Sequence, residues 1–83
     1  MIKAAAILQD GVIYSVPAPG RHHHVMMNML SMGIYADHTH IQGFVDDRGL
    51  FLNRADALMV ATAYGQLIRK TAPDYELFSE DLW

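Results

Sequence analysis

The chain has 83 residues, a formal net charge of −3 and no cysteine, and 52% of its residues are hydrophobic. This length limits it to one domain, residues 1–83, and the lack of cysteine excludes disulfides and zinc–thiolate sites. The basic residues are scattered and no apolar run reaches about 20 residues, so neither nucleic acid nor a membrane is an expected partner. So short and apolar a chain is predicted to form a homodimer or higher homo-oligomer.

The chain begins with a predicted β-hairpin. The segments "IKAAAILQ" and "VIYSV" flank Asp10-Gly11, a dipeptide that suits a two-residue type I′ turn because glycine tolerates a positive φ. Pro17 and Pro19 follow the second segment, and proline cannot continue the hydrogen-bond ladder of a strand. The sequence therefore predicts two antiparallel strands followed by a loop.

A helix is predicted over residues 22–32, with Gly33 as the residue that ends it. At 100° per residue, His22 falls within the apolar arc, His23 lies at its edge and His24 lies on the polar side. The three consecutive histidines therefore do not face one way, which is unfavourable for a shared metal.

The second half repeats the same order of elements. "IQGFV" and "LFL" are predicted strands joined by the turn "DDRG", while the preceding "IYADHTH" is ambiguous. Asn53 is a predicted N-cap of a second helix, whose last turn is expected at Lys70 before Pro73 stops it. Gly65 falls inside this helix and is interpreted as a place where another element or a ligand approaches closely.

The order ββα–ββα predicts an α+β fold in which two antiparallel hairpins carry two helices on one face. Both halves place a glycine before a short strand and enter a helix near a basic residue, Arg21 or Arg54. This similarity fits a degenerate internal duplication, and it fits chance equally well. Residues 71–83 form an acidic and aromatic C-terminal tail, which is predicted to dock on its own chain or on a neighbouring subunit.

Polar residues near the predicted helix starts are candidate ligand contacts. Arg21 and His22 open the first helix, where free N–H groups attract anions and an arginine can bind phosphate in a bidentate manner. Gln42 and Arg54 form a second polar group near the strands. Phe44 would either stack on a base or pack in the core.

The five histidines also suggest a metal site as an alternative to ordinary polar contacts. They are His22, His23, His24, His38 and His40. Asp37 would then act as a ligand or support one, but no H-E-x-x-H spacing is present. No motif pairs a nucleophile with a base or forms a phosphate-binding glycine loop, so a non-enzymatic protein without a cofactor is predicted.

Four segments, "RHHHV", "QGFVDDRGLFLNRADA", "ATAYGQ" and "LFSEDLW", carry a resemblance over nearly the whole chain. Their order resembles a widespread group of small bacteriophage proteins. The matching positions are Arg21, His22, Gln42, Gly43, Phe44, Gly49, Phe51, Arg54, Ala57, Gly65, Gln66 and Ser79 to Trp83. The resemblance implies a phage gene product that acts in the host cytoplasm, and small phage proteins often counter host defence.

The matching polar residues suit a nucleotide, with arginine for phosphate and amide or acidic side chains for base and ribose edges. Gln66, Glu80 and Asp81 complete the candidate ligand-binding set. The leading hypothesis is a non-enzymatic anti-defence protein that sequesters a small anionic nucleotide-type signal. The alternatives are a protein inhibitor of a host defence effector, of the anti-CRISPR type, acting through the acidic tail, and a His-based metal-binding protein.

Overall fold

The computed structural model describes residues 1–83 as one four-stranded sheet with two helices. The elements are β1 (Ile2–Gln9), β2 (Val12–Pro17), α1 (His22–Ser31), β3 (Ile41–Asp46), β4 (Phe51–Asn53) and α2 (Arg54–Ala63). Every strand pair is antiparallel, and the order across the sheet is β2-β1-β3-β4. The predicted α+β fold is confirmed. Neither helix has the length and apolar character that crossing a membrane requires.

The hairpin β1–β2 turns at Asp10-Gly11, as predicted. Asp10 has a φ of 51° and Gly11 a φ of 75°, the positive values that a type I′ turn needs at both central positions. Gln9 pairs with Val12 directly beside this turn, and the register continues without interruption to the end of β2. The turn therefore fixes which side chains of β2 face each side of the sheet.

Helix α1 ends on the predicted glycine. Gly33 has a φ of 77°, and its N–H donates to the carbonyl of Leu30 at 2.9 Å. The N–H of Ile34 donates to the carbonyl of Met29, also at 2.9 Å. These two bonds form a Schellman motif, which satisfies carbonyl groups that the helix leaves without intrahelical partners.

The second hairpin and the start of α2 also follow from local side chains. The carboxylate of Asp46 accepts hydrogen bonds from the N–H groups of Arg48 and Leu50, and these hold the β3–β4 turn. Asn53 then caps α2, because its Oδ1 accepts from the N–H of Asp56 at 2.8 Å. The predicted N-cap is confirmed.

The predicted end of α2 was wrong. The helix stops at Ala63 and does not continue to Lys70. Gly65 adopts a φ of 65° and the N–H of Gln66 donates to the carbonyl of Ala61, so this glycine ends the helix as Gly33 ends α1. No atom of the rest of the chain comes within 4 Å of where a Cβ of Gly65 would lie, so the expected close approach of another element was wrong.

Both helices lie on the same face of the sheet, as predicted. Ala5 of β1 stands opposite Phe44 of β3, so their side chains share a face. Val25 and Met29 of α1 pack against Ala5 and its neighbours, while Ala57 of α2 packs against Phe44. The core is therefore one layer between the sheet and a helix pair, with a separate apolar cluster under each helix.

The tail, residues 71–83, packs on the body of its own chain. Leu77 and Leu82 are buried in the apolar cluster under α2. The N–H of Leu77 donates to the carbonyl of Arg54 at 3.0 Å, and the indole Nε1 of Trp83 donates to the carbonyl of Gly20 at 2.8 Å. The tail thus contacts the starts of both helices.

The strand order is symmetric about the central β1–β3 pair, and each hairpin is followed by its own helix. This is the arrangement that two duplicated ββα units would form around a pseudo-twofold axis. A duplicated origin of the two halves stays a prediction.

Candidate ligand-binding site

The surface has one cleft, of about 490 Å³, located where β3 and α2 begin. Its lining residues are His40, Ile41, Gln42, Asn53, Arg54, Ala55 and Glu76. Gln42 and Arg54 were predicted ligand contacts, and they lie together here. The volume falls within the range of about 300–1,000 Å³ that small-molecule sites occupy.

Arg54 is fixed at the inner side of this cleft. Its Nη1 donates to the carbonyl of Leu77 at 2.7 Å and its Nη2 donates to Oε1 of Gln42, while the guanidinium lies 4.6 Å from the ring centre of Phe78. Burial lowers the pKa of Arg54, and nearby acidic groups, Glu76 first, oppose that shift. The side chain is therefore a preorganised cation that keeps further N–H donors for a ligand.

Gln42 and His40 form the strand side of the cleft. Nε2 of Gln42 lies 3.3 Å from Nε2 of His40, and the Oε1 of Gln42 is taken by Arg54. Phe44, two positions further along β3, is fully buried in the core. The structure therefore places Phe44 in the core and out of reach of a base at this cleft.

The remaining wall combines a helix start with an acid. Asn53 and Ala55 bring the N-terminus of α2 to the cleft, where the helix dipole has its positive end. Glu76, half-buried in the tail, adds a carboxylate. The cleft thus presents both signs of charge, a cation and a helix start together with the carboxylate of Glu76.

Arg21 lies apart from this cleft. Its Nη1 donates to Oγ of Ser79 at 3.2 Å and its Nη2 donates to the carbonyl of Trp83. The same guanidinium stands 3.8 Å from the carboxylate of Glu80. Arg21 thus holds the end of the tail, whereas Arg54 holds its middle at Leu77.

His22 is buried, while His23 and His24 are exposed, as the helical periodicity predicted. Its Nε2 lies 2.7 Å from the carbonyl of Gly43, so Nε2 carries the proton, and its ring meets that of Phe44 edge-on at 5.1 Å. Burial lowers the pKa of His22 from 6.5 to about 4, although the Gly43 carbonyl opposes the shift. The imidazole is therefore neutral at pH 7.

The side-chain amide of Gln66 and the carboxylate of Asp81 already form hydrogen bonds within the chain. Gln66 forms hydrogen bonds with the backbone of Ile2. The fully buried Asp81 accepts from Thr71, Phe78 and Lys70. Of the predicted ligand contacts, the structure brings Gln42 and Arg54 into the cleft and places the other six elsewhere.

The sequence reasoning did not single out Asn53, Ala55 or Glu76 as site residues. Asn53 and Ala55 flank Arg54 in the sequence. A helix start predicted at Arg54 therefore already implied that both would lie beside a ligand bound by Arg54. His40 was considered as an ordinary polar residue or a metal ligand but was not included in the candidate ligand-binding set, although its position two residues before Gln42 was a usable signal. Glu76 reaches the cleft through the path of the tail, which no local pattern reveals.

The histidines do not assemble into a metal centre. No group of three or more His, Asp or Glu side chains is arranged to hold a metal ion. The segment around Asp37 forms a turn, in which Oδ1 of Asp37 accepts from both the N–H and the hydroxyl of Thr39. The expectation that His38 and His40 share one side of an extended segment was therefore wrong.

The whole chain, residues 1–83, matches the family model of the phage T4 y16D protein. The chain therefore belongs to the phage T4 y16D protein family, and the resemblance to a group of small bacteriophage proteins is confirmed. No curated protein and no solved structure matches it significantly.

Proposed function

We propose that this phage protein is a non-enzymatic binding protein whose cleft holds a small anionic nucleotide-type ligand. In the host cytoplasm it would blunt host defence by sequestering a signal of this class. The observation that carries the proposal is the fixed position of Arg54 at the N-terminus of α2, beside Gln42 and inside the one cleft of the surface.

The chemistry of the lining supports an anion that also carries hydroxyl or amino groups. The guanidinium of Arg54 and the start of α2 would face a phosphate. The carboxylate of Glu76 would accept from a ribose hydroxyl or an exocyclic amine, and the Gln42 amide and His40 ring would contact a base edge. A bare phosphate would leave Glu76 without a partner, which favours a larger nucleotide.

Binding rather than catalysis is supported by the residue types that line the cleft. None of them is a serine, threonine or lysine, so no hydroxyl or amine nucleophile stands beside His40 or Glu76. Arg54 is also tied to the backbone of the tail, which suits a rigid recognition group better than a mobile catalytic one.

The alternative, a protein inhibitor of a host defence effector, now depends on a shorter part of the tail. Asp81 is buried, so it cannot reach a partner while the tail is docked. Glu80 stands 3.8 Å from Arg21, but 53% of its side chain is exposed. Asp74 and Tyr75 are exposed and remain available for such a contact. A host protein retained on the wild-type chain, but not on an Asp74→Asn/Tyr75→Ser variant, would favour this alternative.

Calorimetry against cyclic nucleotides and ADP-ribose derivatives tests the proposal. The informative variant is Ala55→Glu, because an acid in the first turn of α2 favours the helix while it repels an anion in the cleft. Ala55→Gln is its matched control, with similar size and no charge. We expect Ala55→Glu to weaken binding by at least about tenfold relative to Ala55→Gln, which corresponds to 1.4 kcal/mol. If no ligand of the panel binds, or if both variants bind equally, the proposal is wrong.

A further inference from the structure

The face of the sheet opposite the helices is apolar and carries no helix. In the strand registers Leu8 stands opposite both Ile13 and Ile41, and Val45 stands opposite Phe51, so these side chains share one face. This is the face away from α1 and α2, because it alternates with the positions that pack under the helices. Ile13 is 44% exposed and Ile41 48% exposed, although both are isoleucines within a sheet.

None of the paired positions on this face carries a charge. The others are Ala4, Ala6, Ser15, Pro17, Gly43 and Asn53. Lys3 is not paired in either register, but it follows Ile2, which packs under α2, so its side chain lies towards this face at the end of β1. An antiparallel sheet with one wet face normally alternates apolar and polar residues. No helix of the chain covers this face, although its small residues Ala4, Ala6 and Gly43 are already buried among neighbouring side chains.

Side-chain size varies across this face, and the pattern suits a second copy related by a twofold axis. Small residues, Ala4, Ala6 and Gly43, occupy its centre, and the ring of Phe51 lies across Gly43. Larger side chains form a ridge across three strands at one end, where Ile13, Leu8 and Ile41 meet. A copy rotated by 180° about an axis across the strands would place its ridge over the opposite end of this face, so the two ridges would not collide.

We propose that a second copy of this chain covers the open sheet face, with the two sheets packed face to face about a twofold axis. The missing charges argue for a like copy, since this surface offers nothing that would select an oppositely charged partner. Apart from Lys3 at one end, it also meets no like charge when it faces itself. The chain's own core under the helices is small, and three of its members are the alanines Ala5, Ala57 and Ala61.

The size of the face sets the expected strength of this dimer. Four strands at about 4.8 Å spacing and about 20 Å length give a flat area of about 400 Å² for each copy. The accessible surface exceeds its flat projection, so the pair would bury on the order of 1,000 Å², the lower limit for a specific interface. We therefore expect a dissociation constant in the micromolar range.

Sedimentation of the wild-type chain between about 1 μM and 1 mM tests this dimer. Ile13→Glu should weaken it by about 100-fold, because the twofold axis doubles the loss of each buried isoleucine. The matched control is Met59→Glu, which places the same charge on an exposed apolar residue of α2. Met59→Glu should leave the monomer–dimer equilibrium unchanged.

A second pair of variants avoids any loss of apolar packing. Ser15→Lys adds a charge at an exposed polar position of the open face, while Ser31→Lys adds the same charge at the end of α1. Circular dichroism of each variant monitors the fold. Dissociation by Ser15→Lys but not by Ser31→Lys supports the proposal. A wild-type chain that stays monomeric at about 1 mM overturns it, as does a dimer that resists both Ile13→Glu and Ser15→Lys.

Discussion

The side-chain amide of Gln66 forms hydrogen bonds with both backbone groups of Ile2, at the opposite end of the sequence. Its Oε1 accepts from the N–H at 2.7 Å, and its Nε2 donates to the carbonyl at 2.9 Å. The side chain thus extends the pairing of β1 beyond its strand partners. Gly65 positions it, because the reversal of the chain at that glycine turns Gln66 back towards the sheet.

Replacing Gln66 by methionine is expected to lower the free energy of unfolding by about 2 kcal/mol. The change keeps the shape of the side chain but leaves two part-buried backbone groups of Ile2 without partners. Urea unfolding measures the difference. Gln66→Glu keeps the acceptor but sets a second carboxylate oxygen against the Ile2 carbonyl, so it should also destabilise the chain. Asn28→Met, on the exposed surface of α1, is the control. Equal stabilities for all three variants would contradict this account.

Stability should rise with pH between about 4 and 6.5 because of His22. Burial lowers its pKa from 6.5 to about 4, so within this window the unfolded chain binds a proton that the folded chain does not. The stabilisation is complete above pH 6.5 and lost as the pH falls through the window, by at most about 3 kcal/mol.

Urea midpoints at pH 4.5 and pH 7 measure this slope. His22→Gln should reduce the difference between the two midpoints, whereas His23→Gln, at an exposed position of α1, should preserve it. A slope that survives in His22→Gln would show that another group is responsible.

The buried carboxylate of Asp81 predicts a second, more acidic transition. Burial acts to raise its pKa, but hydrogen bonds from Thr71, Phe78 and Lys70 outweigh burial and lower the pKa below its ordinary value of 3.8. Its contribution is therefore present above about pH 4 and lost as the pH falls further. Asp81→Asn should destabilise the chain by about 3 kcal/mol at pH 7, because Lys70 loses its partner.

A double-mutant cycle separates this ion pair from the backbone contacts of Asp81. Lys70→Met combined with Asp81→Asn should cost less than the sum of the single changes. Additive effects would show that the backbone hydrogen bonds alone account for the role of Asp81.

Two glycines should respond to alanine for different reasons. Gly65→Ala is expected to cost about 1 kcal/mol, since the position has free space but a left-handed φ of 65°. Gly43→Ala should cost more than about 3 kcal/mol, because its Cβ would collide with the carbonyl oxygen of Leu52 and lie 2.6 Å from the ring of Phe51. Thermal unfolding ranks the two variants, and the reverse order would refute the packing of Phe51 over Gly43.

The hairpin turns, the cap at Asn53 and the glycine after α1 were predictable because neighbouring residues determine them. The end of α2 was not, because the apolar periodicity continues through Leu67 and Ile68 after the chain has left the helix. Leu67 still packs against the core, but from an irregular segment. Apolar periodicity indicates which residues are buried. It does not by itself indicate whether the backbone of those residues is helical or irregular.

The candidate site was less predictable than the fold. Arg21 and Arg54 look alike in sequence, since each lies at a helix start, yet Arg21 contacts Ser79 and Trp83 while Arg54 lines a cleft. The path of the tail decides between these environments. That path is a tertiary property. Local sequence patterns therefore could not predict that Glu76 lies near Arg54.

The central pairing of β1 with β3 has a consequence for how the chain folds. Ile7 stands opposite Gln42, and Trp83 reaches back to Gly20 across 63 positions. Such contacts require closure of long loops before they return any energy, whereas each helix has only ten residues and little stability alone. We therefore expect slow folding for so small a chain, with a barrier set by contact order rather than by helix formation.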